Sequence, residues 1–200
     1  LAEAQLGWIH LSTGVLLRAE REAGGVNAAT IEEFLAAGKL APNEIVVTLL
    51  KDAMEKATRT TGMNNFLLDG FPRCLANVDS WYELFGRETE LPKMLFFECP
   101  YEVLEKRILG RAKFTGRSDD NVESIKLRYD TFKAETLPIV ELFRGKNRCV
   151  EIDTSQGRQA VYALVEGNLA EHTDKEMAAK PLTEKAEMLL GLRPWPRKKI

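Results

Sequence analysis

Short apolar runs alternate with longer stretches of helical periodicity along this chain, and that alternation predicts an α/β fold. Trp8-Ile9-His10-Leu11 predicts a first strand, followed by a helix over Thr13–Glu22 with Ser12 or Thr13 as its N-cap. Gly24-Gly25 ends that helix, and a shorter one over Thr30–Ala37 stops at Gly38. Pro42 opens the next helix, where its missing N–H costs nothing. Ile45, Leu49 and Ala53 supply that helix with a core-facing stripe. Phe66-Leu67-Leu68 predicts a buried strand ending at Asp69-Gly70, with a helix over Leu75–Phe85 behind it. Met94-Leu95-Phe96-Phe97 has the continuous apolar character of a central parallel strand. Pro100 starts a helix to about Leu109, and residues 110–120 read as a polar loop. A long helix follows over Asn121–Phe143, bent at Pro138. Cys149-Val150-Glu151-Ile152 forms the last strand and Arg158–Leu169 the last helix. Beyond Ala170 the pattern weakens, so residues 171–200 read as a partly ordered extension with a basic end at Arg193–Lys199.

Composition narrows the functional classes. The 200 residues suit one domain, and 44% apolar content is enough for a sizeable core. Twenty-eight Lys and Arg against 30 Asp and Glu leave a net charge of −2, which gives no general basic field for a nucleic-acid backbone. No apolar run is long enough for a membrane span. Cys74, Cys99 and Cys149 contain no Cys-x-x-Cys pair and read as reduced, core-filling thiols of an intracellular protein. His10 and His172 have no partner pattern that would suggest a metal site or a triad.

Three groups of residues carry candidate chemistry. In FLLDGFPR, residues 66–73, Asp69 and Arg73 leave the carboxyl end of a buried strand, where open α/β sheets bind ligands. Arginine presents planar, bidentate donors suited to phosphate. A strand-end turn holding a structural salt bridge fits the same residues. Arg107, Arg111, Arg117 and Arg128 form a second group that would suit a polyphosphate if they converged. A solvated helix face balanced by Glu102, Glu105 and Glu123 is the other reading. Ser12-Thr13-Gly14 with Arg18 joins a helix N-terminus to an arginine one turn on, a pattern that a plain helix cap also explains.

Taken together, LSTGVLLR, GKLAP, FLLDGFPR and GRSDDN occur in the order and spacing of the nucleoside monophosphate kinases, and the chain resembles their eukaryotic UMP-CMP kinase branch over about Gly7 to Leu169. The resemblance implies a parallel sheet flanked by helices, of the P-loop kinase type, across residues 1–170. It also implies an acceptor-binding segment at 12–41, a short LID at 110–120, and an extension at 171–200. The implied reaction moves the γ-phosphoryl group of ATP, with Mg²⁺, onto UMP or CMP, with dCMP or AMP as further acceptors, in pyrimidine nucleotide metabolism. The implied protein is a monomer of the cytoplasm, with the nucleus as a second compartment, and it takes neither nucleic acid nor membrane as partner.

By position, Thr13, Arg18 and Arg73 resemble the acceptor-phosphate residues, and Lys39, Leu40 and Ala41 the lining of the acceptor base. Gly70, Phe71 and Pro72 belong to the same acceptor turn. Asp69 resembles the carboxylate that reaches Mg²⁺ through water. Arg107 and Gln156 fall on the ATP-base side, and Arg111, Arg117 and Arg128 match the phosphate-clamping arginines. Asn77 stands where UMP-CMP kinases carry Asn and adenylate kinases usually Gln. An adenylate kinase acting on AMP is thus one alternative.

Two departures are visible. Val15 replaces the family's usual acidic residue. The glycine-rich phosphate loop, with the central strand before it, is expected upstream of Gly7, and no GxxxxGK[ST] pattern occurs in the 200 residues. Loss of that strand is expected to expose the edges of two neighbours and lower stability. A catalytically inactive nucleotide-binding protein is therefore a second alternative.

Overall fold

The computed structural model describes residues 8–85, 93–115 and 121–170. β1 (Ile9–Ser12) leads directly into α1 (Thr13–Glu22), followed by α2 (Ala28–Ala36) and α3 (Asn43–Thr61). β2 (Phe66–Asp69) precedes α4 (Leu75–Phe85), and β3 (Met94–Glu98) precedes α5 (Tyr101–Thr115). α6 (Val122–Thr131), a π-helical turn (Phe132–Thr136) and α7 (Leu137–Gly145) then form one interrupted rod. β4 (Cys149–Asp153) and α8 (Arg158–Ala170) complete the described chain.

The strands form two parallel pairs rather than one continuous sheet. β1 pairs with β2 in the register Ile9–Phe66 to Ser12–Asp69, and β3 pairs with β4 from Met94–Cys149 to Glu98–Asp153. Among the described residues no strand joins the two pairs. Side-chain alternation still builds helices onto both faces. On β2, Phe66 and Leu68 pack into a core of Leu17, Ile31, Val47, Leu50, Phe71 and Trp81, contributed by α1–α4 and the turn after β2. Leu67 faces the opposite way, into a second core of Trp8, Ile152, Val165 and Leu169. On β3, Leu95 joins that second core, whereas Phe96 stacks on Phe132 of the π turn at 6.2 Å between centroids. Strands covered on both faces belong to an α/β protein.

Several expectations shift. The stripe of α3 that is fully buried is Val46, Val47, Leu50 and Met54; Ile45 and Leu49 flank it, half-buried, because the helix turns its apolar sector between several surrounding elements. α2 begins at Ala28, two residues earlier than expected. The predicted loop from Gly110 is helical through Thr115, since one glycine's cost of about 1 kcal/mol is small beside continuing a helix of Leu, Arg and Lys. Residues 116–120 of the expected LID, Arg117 among them, lie outside the described residues, as do residues 171–200. The interruption expected at Pro138 lies one turn earlier. Pro138 sits in the first turn of α7, directly after the π turn, whose closing bond runs from the Leu137 amide to the Phe132 carbonyl. The three cysteines are free thiols, half-buried rather than fully enclosed.

Candidate active site

The polar side chains that are fully buried among the described residues are Thr13 and Asn77, and both stand near the carboxyl ends of β1 and β2. Burying such groups is costly unless they are hydrogen-bonded, and here each is. Thr13 Oγ1 lies within hydrogen-bond reach of the carbonyls of Asp69 (3.2 Å) and Gly70 (3.1 Å) and donates to them, tying the start of α1 to the end of β2. Ser12 occupies the cap position but makes no side-chain cap bond, so the Ser12-Thr13 pair is more than a cap. Gly70 adopts φ 74°, and a Cβ there would collide with Arg73 and sit 3.0 Å from Thr13 Oγ1. Only glycine fits this turn.

Arg73 is clamped at its backbone and its side chain. Its Nε donates to the Gly70 carbonyl at 2.8 Å, and its amide donates to Asn77 Oδ1 at 2.9 Å. Asn77 Nδ2 in turn donates to Asn43 Oδ1 (2.7 Å), and Asn43 Nδ2 donates to Ser80 Oγ (2.5 Å). Arg73 lies in a recess walled by protein while its side chain stays open to solvent. That recess pushes its pKa down, chiefly by burial, then through Arg128 and Arg18; Asp69 acts in the opposite direction. Arg18 folds back along α1, its Nη1 3.5 Å from where a Cβ on Gly14 would be. Three guanidiniums therefore share one neighbourhood with the Asp69 carboxylate. Arginine's planar donors match the geometry of a phosphate.

The other predicted residues divide between contact and support. Asp69 is exposed at the strand end, with His10 Nε2 3.9 Å from its carboxylate, a neighbour the sequence pattern did not signal. Phe71 and Pro72 are buried, and the Phe71 ring packs on Trp81 at 5.6 Å, so these two shape the turn from within the core. Gly38 is buried at φ 64°, and Lys39, Leu40 and Ala41 follow it on the approach to α3, with Ala41 against the first core. On the second sheet, Arg107 and Gln156 gather at Asp153. Bonds from the Ser155 hydroxyl and amide hold the Asp153 carboxyl below its usual range, helped by Gln156 and by the charge of Arg107. Arg107 Nη1 also reaches Cys99 Sγ at 3.8 Å. Arg111 stands one turn further along α5. Asn43, Asp153, Thr131 and Thr136 are additions that sequence reasoning missed.

The Asn77 amide is already partly committed to the protein. One of its donors and one of its acceptor sites are already used inside the protein, leaving one N–H and one lone pair. Asn77→Ala is expected to lower unfolding free energy by about 1–3 kcal/mol, since it strands the Arg73 amide and the Asn43 carbonyl. Urea denaturation of the two proteins reads this directly, and an unchanged midpoint would contradict it.

Parallel strands covered by helices, with polar side chains gathered at the strand carboxyl ends, define an α/β protein of the class that binds ligands there. The family model Adenylate kinase matches residues 2–148. The chain is 37% identical over 171 residues to UMP-CMP kinase 3 of Arabidopsis thaliana, covering 84% of this chain and 80% of that one. It is 38% identical over 172 residues to adenylate kinase isoenzyme 1 of Caenorhabditis elegans, covering 86% and 80%. Uridylate kinase of Saccharomyces cerevisiae is 38% identical over 161 residues, covering 80% and 76%. The chain belongs to the adenylate kinase family, the nucleoside monophosphate kinases. No helix among the described residues is long and apolar enough to cross a membrane.

Proposed function

We propose that this chain forms the acceptor site of a kinase that transfers the γ-phosphoryl group of ATP to UMP or CMP. The observation that carries the reading is the convergence of Arg18, Arg73 and Arg128 beside Asp69. In this reading Arg18 and Arg73 hold the acceptor phosphate, and Thr13 fixes the floor beneath it. Arg128, with Arg111 and Arg117, stabilises the charge of the phosphoryl group in flight, and no covalent intermediate is needed. Residues 12–41 form the acceptor-binding segment, Lys39 to Ala41 line the base, and residues 110–120 act as the LID. Arg107 and Gln156 take the ATP base side.

Asp69 suits magnesium held through water. Its carboxylate is exposed, as contact through a metal-bound water requires. Magnesium, when bound, neutralises charge on the β- and γ-phosphate oxygens.

The relatives include both UMP-CMP and adenylate kinases, so base choice is argued from Asn77. Its remaining donor and acceptor suit a pyrimidine edge. Wrong bases leave such groups unpaired at roughly 1–3 kcal/mol, so UMP and CMP are expected over AMP by about tenfold or more. Asn77→Gln narrows that ratio. An acceptor panel of UMP, CMP and AMP, assayed with ATP in a protein carrying a phosphate loop, decides the point. Equal or better turnover of AMP by the unsubstituted site would contradict the pyrimidine reading.

A further inference from the structure

The clamp on Arg73 is closed by a residue far away in sequence. Thr136 Oγ1 donates to the Arg73 carbonyl at 2.9 Å, complementing the Asn77 bond to the Arg73 amide. One turn earlier on the same rod, Thr131 Oγ1 donates to the Gly38 carbonyl at 3.1 Å. Gly38 is pressed against this rod: a Cβ added to it would lie 2.9 Å from Leu127 Cβ. Gly38 opens the Lys39–Ala41 segment, and Arg73 is the central guanidinium of the anion site. The rod therefore touches both rims of the acceptor recess while presenting Arg128, one turn before Thr131.

A regular helix could not do this with these two residues. Side chains five positions apart diverge by about 140° at 3.6 residues per turn. The interval from Thr131 to Thr136 is spanned by the π turn, where the Leu137 amide bonds back to the Phe132 carbonyl, five residues earlier. The wider turn brings both hydroxyls round to one side. Phe132 anchors the turn by stacking on Phe96 of β3, and Tyr129 packs on Tyr101 of α5 at 4.8 Å. π turns inside α-helices are rare and are frequently found at functional sites.

We infer that Thr131 and Thr136 are positioning residues: the π turn aligns their hydroxyls as a two-point latch that holds Arg128 against the Arg73 and Gly38 rims of the anion site. The latch has a reason to exist. Arg128 is a like charge close enough to Arg73 to disfavour its charged form, so holding the two side by side works against their repulsion. Hydroxyl-to-carbonyl bonds oppose it with neutral groups that do not occupy the guanidinium donors. The catalytic role of the latched site rests on the kinase reading; its role in anion binding does not.

The test uses the 200-residue chain with Thr131→Val, Thr136→Val and the double substitution, which replace each hydroxyl with a methyl of similar size. Thr131→Ser and Thr136→Ser serve as conservative rescues. Thr60→Val is the control, since the Thr60 hydroxyl bonds along its own helix to Lys56. Inorganic phosphate binding, followed by calorimetry, reads the recess without requiring any transfer. The expected result is about 5–10-fold weaker phosphate binding in Thr136→Val, with more in the double variant. Thr136→Ser and Thr60→Val are expected to stay near the original affinity. In a protein also carrying a phosphate loop, the acceptor KM rises while the ATP KM holds.

Unchanged phosphate affinity in the double variant overturns the inference. So does a parent chain that binds no phosphate, because there is then no anion site for the latch to shape. Phosphate binding that depends on the hydroxyls, without any transfer to UMP, supports the latch and counts against the kinase reading alone.

Discussion

Arg73→Ala is expected to lower kcat/KM for the acceptor by at least about 100-fold in a transfer-competent protein. The size of the effect follows from how Arg73 is held. Its backbone amide, backbone carbonyl and Nε are all engaged by the protein, which restricts the guanidinium to few orientations. A preorganised guanidinium contributes both binding and alignment, and its removal costs both. Arg73→Lys keeps the charge and loses the planar fork, so an intermediate loss is expected. Since the Arg73 side chain is open to solvent, the Ala variant should melt close to its parent, which separates a lost contact from a lost fold. Steady-state kinetics with UMP decides the matter; a loss under about threefold would leave Arg73 a structural residue only.

The parts of this site that are legible in the sequence are those set by local rules. β2 is a run of apolar residues, so the pattern alone places the carboxyl end of the strand, and with it Asp69 and Arg73. Gly70 stands out beside them because a turn with positive φ selects glycine. The illegible parts depend on partners remote along the chain. Asn43 and Asn77 meet across 34 residues, Arg73 and Thr136 across 63, and Gly38 and Thr131 across 93. No periodicity encodes such pairs. Thr131 and Thr136 are harder still, because helical spacing places them on different faces until a π turn intervenes. Pro138 signals an interruption, but the irregular turn lies upstream of it at Phe132–Thr136, where Phe96 and Phe132 stack. Gly110 misleads in the other direction: a single glycine does not stop a helix whose neighbours favour continuing it.

The 200 residues by themselves are expected to transfer phosphoryl groups at a negligible rate, at least about 10³-fold below the same chain joined to a strand and phosphate loop. On the proposed acceptor side, Thr13, Arg73 and Asn77 are held by hydrogen bonds, with Arg18 and Arg128 in the surroundings of Arg73. On the proposed donor side Arg107 and Gln156 stand near Asp153, but the 200 residues hold no GxxxxGK[ST] loop whose amides and lysine would fix the β- and γ-phosphates. Without a placed γ-phosphate, the clamping arginines have no developing charge to stabilise, and electrostatic preorganisation is the main source of rate in this chemistry. A strand between the two parallel pairs would also give their open edges partners, so the extended protein should melt higher. The decisive measurement is transfer of labelled γ-phosphate from ATP to UMP by the two lengths of chain side by side. The account predicts labelled UDP from the extended protein and none above background from the 200 residues. Robust labelling of UDP by the 200 residues alone, or none by the extended protein, would contradict it.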